Sequence, residues 1–111
     1  MTTIADWATL KPYNTFKIDA TARHLLKVKQ VADLQALIDT LWFQQTPKLI
    51  IGGGSNLLFT QNYNGLILLN CLKGRTLVKE TKEEVYLRLA SGENWHETVQ
   101  YAVQQRWAGI E

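Results

Sequence analysis

Cysteine is nearly absent from the sequence, and its single occurrence, Cys71, excludes an intramolecular disulfide. It stands in the apolar run Leu66-Ile67-Leu68-Leu69-Asn70-Cys71-Leu72 with no basic group directly beside it. A small buried thiol is therefore expected rather than a nucleophile. Histidine is almost as scarce. His24 and His96 have no second histidine or cysteine at ligand spacing, so no metal site is expected and both read as surface or packing residues. No apolar stretch approaches the ~20 residues that span a bilayer. The first residues lack the basic start and apolar centre of a signal peptide, which makes a cytoplasmic location the expectation. Charge of one sign is also missing: 12 basic residues face 10 acidic ones, for a net +2. The composition thus calls for neither nucleic acid nor a membrane surface as partner. There is no internal repeat, linker or low-complexity segment.

What is present is ordinary globular chemistry. With 111 residues, 46% hydrophobic and 20% charged, the chain has the material for one domain with a modest core. Residues 1–13 have little periodicity and read as an irregular lead-in. From Asn14 the pattern turns β-like, Phe16 and Ile18 alternating with Lys17 and Asp19, and residues 22–30 continue it with Leu26 and Val28 opposite Lys27 and Lys29. Residues 31–45 predict one helix: Val31, Leu34, Leu37, Ile38, Leu41 and Trp42 share a face, and Asp33 sits in the first turn. Pro47 closes it. Lys48–Ile51 predicts a short buried strand, residues 66–69 another, and residues 75–80 and 85–90 a hairpin around a polar tip. Asn94 followed by Glu97 signals the start of a last helix, with Trp95, Val99, Ala102, Val103 and Arg106 on one face and Trp95 in the core. Strands interleaved with helices imply an α+β or α/β domain.

One segment carries chemistry: Ile51-Gly52-Gly53-Gly54-Ser55-Asn56-Leu57-Leu58. Each glycine in a row loses more backbone freedom on folding than any other residue. Such a run after a buried strand lets the chain take positive φ or come close to a ligand, and successive N–H groups then form a nest for phosphate oxygens. Ser55 and Asn56 add side-chain donors. A P-loop is excluded because no lysine follows the glycines, and a Rossmann turn fits poorly because no third glycine opens a helix. Spacing alone leaves open a tight turn that binds nothing.

This loop resembles the glycine-Ser-Asn loop of the UDP-N-acetylenolpyruvoylglucosamine reductase family. Three more stretches match in the same order. Asn14-Thr15-Phe16-Lys17-Ile18 with Ala22 is similar to the family's opening strand, Ser91-Gly92-Glu93-Asn94-Trp95 to its Gly-x-x-x-Trp helix start, and Ala108-Gly109-Ile110-Glu111 to a Gly-Leu-Glu segment. The resemblance implies an α+β fold, a small sheet with packed helices. It would be the first subdomain of a split two-subdomain FAD-binding domain of the PCMH/vanillyl-alcohol-oxidase type, with residues 1–111 forming its amino-terminal part. It implies FAD as cofactor, its diphosphate held by Ile51, Gly52, Gly53, Gly54, Ser55, Asn56 and Leu57. NADPH would be co-substrate and a UDP-sugar the substrate of the complete enzyme, which acts in peptidoglycan synthesis. The family's proton donor and enol-stabilising residues match nothing here, so no catalytic residue is assigned, and the chain alone is expected to be inactive without the remainder of the reductase. Two alternatives stay open: another split-domain FAD oxidoreductase, or a stand-alone nucleotide-binding module.

Overall fold

A computed structural model describes residues 3–14, 16–52 and 60–110. The chain divides into two compact units, Met1–Cys71 and Leu72–Glu111, where the length had suggested one body.

The first unit is built on a four-stranded sheet in the order β1-β2-β4-β3, with β1 Ala5–Thr9, β2 Thr21–Val28, β3 Lys48–Ile51 and β4 Tyr63–Asn70. β2, β4 and β3 are mutually parallel and β1 is antiparallel to β2. Central β4 is buried along five successive residues from Gly65 to Leu69, as expected of a strand covered on both faces. On one face, Leu25, Ile51, Ile67 and Leu69 pack with Leu10, Ala20 and Ala22. On the other lie Leu26, Val28, Leu66 and Leu68, while Phe43 is also buried. Cys71, just past β4, is half-buried against the first cluster, and its N–H donates to the Val28 carbonyl at 2.8 Å.

Three sequence expectations change in this unit. Of the expected irregular lead-in over residues 1–13, the described part contains β1 and a 3-10 turn at Lys11–Tyr13. The described residues among 14–19 form no strand. The Asn14 side chain, 3% exposed, donates to the Leu10 carbonyl (2.7 Å) and the Ile18 carbonyl (3.3 Å) and accepts from the Ile18 N–H (2.9 Å). Those bonds draw the backbone into a loop whose Lys17 takes φ 57°. Alternating hydrophobicity could not reveal this, because a buried amide outweighed it. The single helix over residues 31–45 is two short ones, α1 Val31–Gln35 and α2 Leu41–Gln45. Thr40 breaks it: its hydroxyl donates to the Leu37 carbonyl at 2.7 Å and accepts from the Phe43 N–H at 3.2 Å, starting a new helix. The restart turns Phe43 inward and leaves Leu41 66% exposed.

In the second unit β5 Arg75–Glu80 and β6 Val85–Leu89 pair antiparallel as expected, followed by α3 Trp95–Gln104. An isolated two-stranded ribbon is marginal in water; here the Arg75 guanidinium lies 4.4 Å from the centre of the Tyr101 ring on α3. At the hairpin, the Tyr86 hydroxyl donates to the Glu84 carboxylate at 2.6 Å, which holds the phenol pKa above its ordinary value. Asn94 caps α3, accepting from the Glu97 N–H at 2.9 Å. The inward face differs from the expectation. Thr98 and Ala102 are buried, whereas Trp95, on the same side of the helix by its spacing, is 61% exposed in the first turn. Arg106 is not on the helix face either. It follows the last turn with φ 63°, while the Arg106 N–H donates to the Val103 carbonyl and the Trp107 N–H to the Ala102 carbonyl, the Schellman pattern.

Lys17 and Arg106 therefore occupy backbone positions that favour glycine. Lys17→Gly and Arg106→Gly should each raise stability by about 1 kcal/mol, since the left-handed conformation costs a Cβ-bearing residue ~1–2 kcal/mol and extra unfolded-state freedom offsets part of the gain. Urea denaturation of the two variants checks this; a loss of stability at either site would contradict the conformational argument.

Candidate site at the carboxyl edge of the parallel strands

Ligands of open parallel sheets bind beyond the carboxyl ends of the strands, where loops leave the sheet with their amides unpaired. In the first unit that edge is formed by Val28 of β2, Asn70 of β4 and Ile51 of β3. The glycine segment leaves from it. Ile51 is the last residue of β3, 4% exposed and in register with Leu69, so its side chain is an anchor in the core and only its backbone faces onward. Gly52 follows directly. Gly53, Gly54, Ser55, Asn56 and Leu57 lie outside the described residues.

Gly52 refines the expectation drawn from glycine chemistry. Its φ is outside the left-handed range, and among the described residues a Cβ built on it would meet nothing within 4 Å. Neither backbone strain nor crowding by the described residues calls for glycine there. Gly65 is the opposite case: an added Cβ would come 2.5 Å from the Pro47 carbonyl oxygen and 2.8 Å from the Tyr63 ring. That glycine lets β4 lie close beside the start of β3, where the Leu66 N–H donates to the Pro47 carbonyl at 2.8 Å.

The return of the chain is also anchored. Asn62, just ahead of β4, accepts through its side-chain oxygen from the Thr21 N–H at 3.0 Å, at the amino end of β2. The segment thus leaves at one end of the sheet and is back at the other by residue 62. Both anchors are strand ends, which fixes where the segment leaves the sheet and where it returns.

Other candidates fall into structural roles. The His24 Nδ1 meets the Asp6 carboxylate at 2.7 Å, and its ring packs edge-on against Trp42 with centroids 5.1 Å apart. This ties β1 to β2, together with Arg23, which reaches the same carboxylate at 3.5 Å. His96 is exposed. Glu93 faces Arg75 at 3.6 Å and Lys73 at 4.0 Å, fastening the turn before α3 to the ribbon. Among the described residues no group of three or more His, Cys, Asp or Glu is placed to hold a metal, and no helix is long and apolar enough to cross a membrane. Sequence reasoning missed the Asn14 hub, the Asp6 clasp and the crowding at Gly65. The hub had a visible signal, an asparagine four residues from both Leu10 and Ile18, but a buried amide cannot be told from an exposed one by spacing.

Comparison with known proteins places this geometry. Residues 22–111 match a family described as an FAD binding domain. The chain is 43% identical over 102 residues to a UDP-N-acetylenolpyruvoylglucosamine reductase of Chromobacterium violaceum, covering 92% of this chain and 30% of that protein. With the enzyme of the same name from Paraburkholderia phymatum it shares 40% over 108 residues, 97% of this chain and 31% of the relative. The crystal structure of UDP-N-acetylenolpyruvylglucosamine reductase from Thermus caldophilus superimposes with a TM-score of 0.64 at 18% identity, over 99% of this chain and 36% of that one, a likeness of fold. The chain thus spans about a third of the length of the relatives it matches.

Proposed function

The chain belongs to the FAD-binding domain family, and from that premise we propose that it is the amino-terminal flavin-binding portion of a UDP-N-acetylenolpyruvoylglucosamine reductase. The observation that carries the reading is the convergence at one edge. A glycine-Ser-Asn segment springs from the carboxyl end of a parallel strand, in a chain 43% identical to such a reductase over 92% of its length.

The residues fit the group. A diphosphate needs several converging N–H donors and a backbone it can approach closely. The space that the described residues leave at Gly52 and the buried anchor of Ile51 support that use. In this reading the backbone N–H groups of residues 52–57 donate to the diphosphate oxygens, the Ser55 hydroxyl and the Asn56 amide add donors, and the rigid end of β3 orients them. FAD, when bound, supplies the relay of a hydride from NADPH to the enolpyruvyl double bond of a UDP-sugar. The chain's own share is to bind and orient. We assign it no proton transfer, and the groups that perform one belong to the remainder of the reductase. The setting that follows is peptidoglycan precursor synthesis in the cytoplasm, with roles in cell shape and division.

The test is flavin retention by the complete reductase. Ser55→Ala removes a hydrogen bond to a charged oxygen, worth ~1.5–3 kcal/mol, and should weaken FAD binding about 10–100-fold. Gly53→Ala should weaken it similarly by intruding between backbone and ligand. The 111-residue chain alone should bind FAD much more weakly than the complete enzyme. Full flavin occupancy in both variants would remove the loop from the site.

A further inference from the structure

The first strand does not keep its alternation. Successive side chains of a strand point to opposite faces, so Thr3, Ala5, Trp7 and Thr9 would share one side, where Ala5 is in register with Leu25. Trp7 leaves that series. Its φ is 53°, a left-handed conformation that bulky residues adopt only where their surroundings hold them in it. Its ring is 67% exposed, with the Arg23 guanidinium 4.6 Å from the ring centre. Ala8 takes the place that alternation would give the tryptophan. The result is a groove of about 600 Å³ over β1 and β2, floored by Ala5, Ala8 and Leu25.

Lys27 and Lys29 line the same groove, and both are exposed. They stand two positions apart along the chain, a Cα separation of roughly 7 Å in extended backbone. The Lys27 ammonium is steadied 5.3 Å from the centre of the Tyr13 ring, which is also part of the wall. The carboxylate of the groove, Asp33, is turned to the backbone at the start of α1: its Oδ2 accepts from the Lys29 N–H at 3.0 Å and the Gln30 N–H at 3.1 Å.

Two cations beside an apolar floor select for a molecule with two unlike ends. A simple inorganic ion would leave the floor unused, and an uncharged apolar molecule would leave the ammonium groups unused. The groove volume lies within the ~300–1,000 Å³ usual for small-molecule sites. A carboxylate head brings one negative charge, whereas a phosphomonoester brings close to two at neutral pH. Two neighbouring ammonium groups match the second.

We propose that this groove binds phosphomonoesters with an apolar or aromatic body. Lys27 and Lys29 hold the phosphate, and Ala5, Ala8 and Leu25 receive the body. The site lies within the Met1–Cys71 unit and does not draw on the glycine segment. Its occupancy and flavin retention are therefore separable.

The experiment titrates the 15N-labelled 111-residue chain at low ionic strength with phenyl phosphate, with inorganic phosphate and with phenol. Phenyl phosphate should shift the amide signals of residues 5–9 and 25–29 and bind at least about tenfold more tightly than either fragment. Lys27→Gln/Lys29→Gln should bind phenyl phosphate about tenfold more weakly than the parent and phenol equally well. The difference should close near 1 M salt, where the screening length falls to ~3 Å. Ala5→Leu fills the floor at an exposed position. It should melt like the parent and bind phenyl phosphate no better than inorganic phosphate. If the parent binds phenyl phosphate and inorganic phosphate alike, the groove takes an adventitious ion only and the proposal is overturned. It is overturned equally if the Gln variant matches the parent at low salt, or if the shifts fall only outside residues 5–9 and 25–29.

Discussion

Gly65→Ala should be the most damaging single-methyl change in the described part of the chain. Its new carbon would lie 2.5 Å from the Pro47 carbonyl oxygen, a distance no Cβ tolerates, and both neighbours on that side are backbone or ring atoms. A flexible side chain would step aside; β3 cannot do so without giving up its pairing with β4. Overpacking a buried site costs ~1–3 kcal/mol, and the upper end applies where backbone must move. For a unit the size of Met1–Cys71 that is roughly a third to a half of its whole stability, or a fall in melting temperature of about 10–20 °C. Because β3 carries the glycine segment, flavin binding by the complete reductase should fail with it. Gly52→Ala is the contrast. Among the described residues nothing stands within 4 Å of its added carbon, so thermal melting should be unchanged or slightly improved, and any loss should appear in ligand binding alone. Equal melting temperatures for Gly65→Ala and the parent would refute the close approach of β3 and β4.

Asn14→Ala is expected to rank next. The side chain makes three hydrogen bonds in a buried setting and is the link between the 3-10 turn and the loop leading into β2. Removing it leaves the Ile18 N–H without that acceptor and deletes a donor to the Leu10 carbonyl, at a cost of about 2–3 kcal/mol. Asn14→Asp separates size from chemistry. A carboxylate can still accept from Ile18 but cannot donate to Leu10, so the aspartate should be destabilised at neutral pH despite its nearly identical shape. Chemical denaturation measures both; an aspartate variant as stable as the parent would show that the donor bonds contribute nothing.

These two residues show where the sequence was readable and where it was not. The parallel strands β2, β3 and β4 and the hairpin were legible because apolar runs and turn residues are local signals. The glycine segment stood out in the sequence because no packing rule calls for three glycines after a strand, although of β3 only Ile51 proved buried. The helix over residues 31–45 misled, since its apolar spacing continued through Thr40 while the threonine hydroxyl took the backbone bonds that a continuous helix needs. Trp95 misled in another way: hydrophobicity and spacing both mark it as suited to burial, yet it is exposed while Thr98 and Ala102 on the same side of the helix are buried.

Amino-acid order alone thus specified most of the strands, the hairpin, the last helix and the resemblance to the FAD-binding family, the elements through neighbours within a few residues. Which strands lie side by side was settled in three dimensions. So were the contact that makes Gly65 indispensable and the burial of the Asn14 amide between the Leu10 and Ile18 carbonyls. Those features depend on strand pairing and on burial, and neither leaves a periodic trace in the chain that forms it.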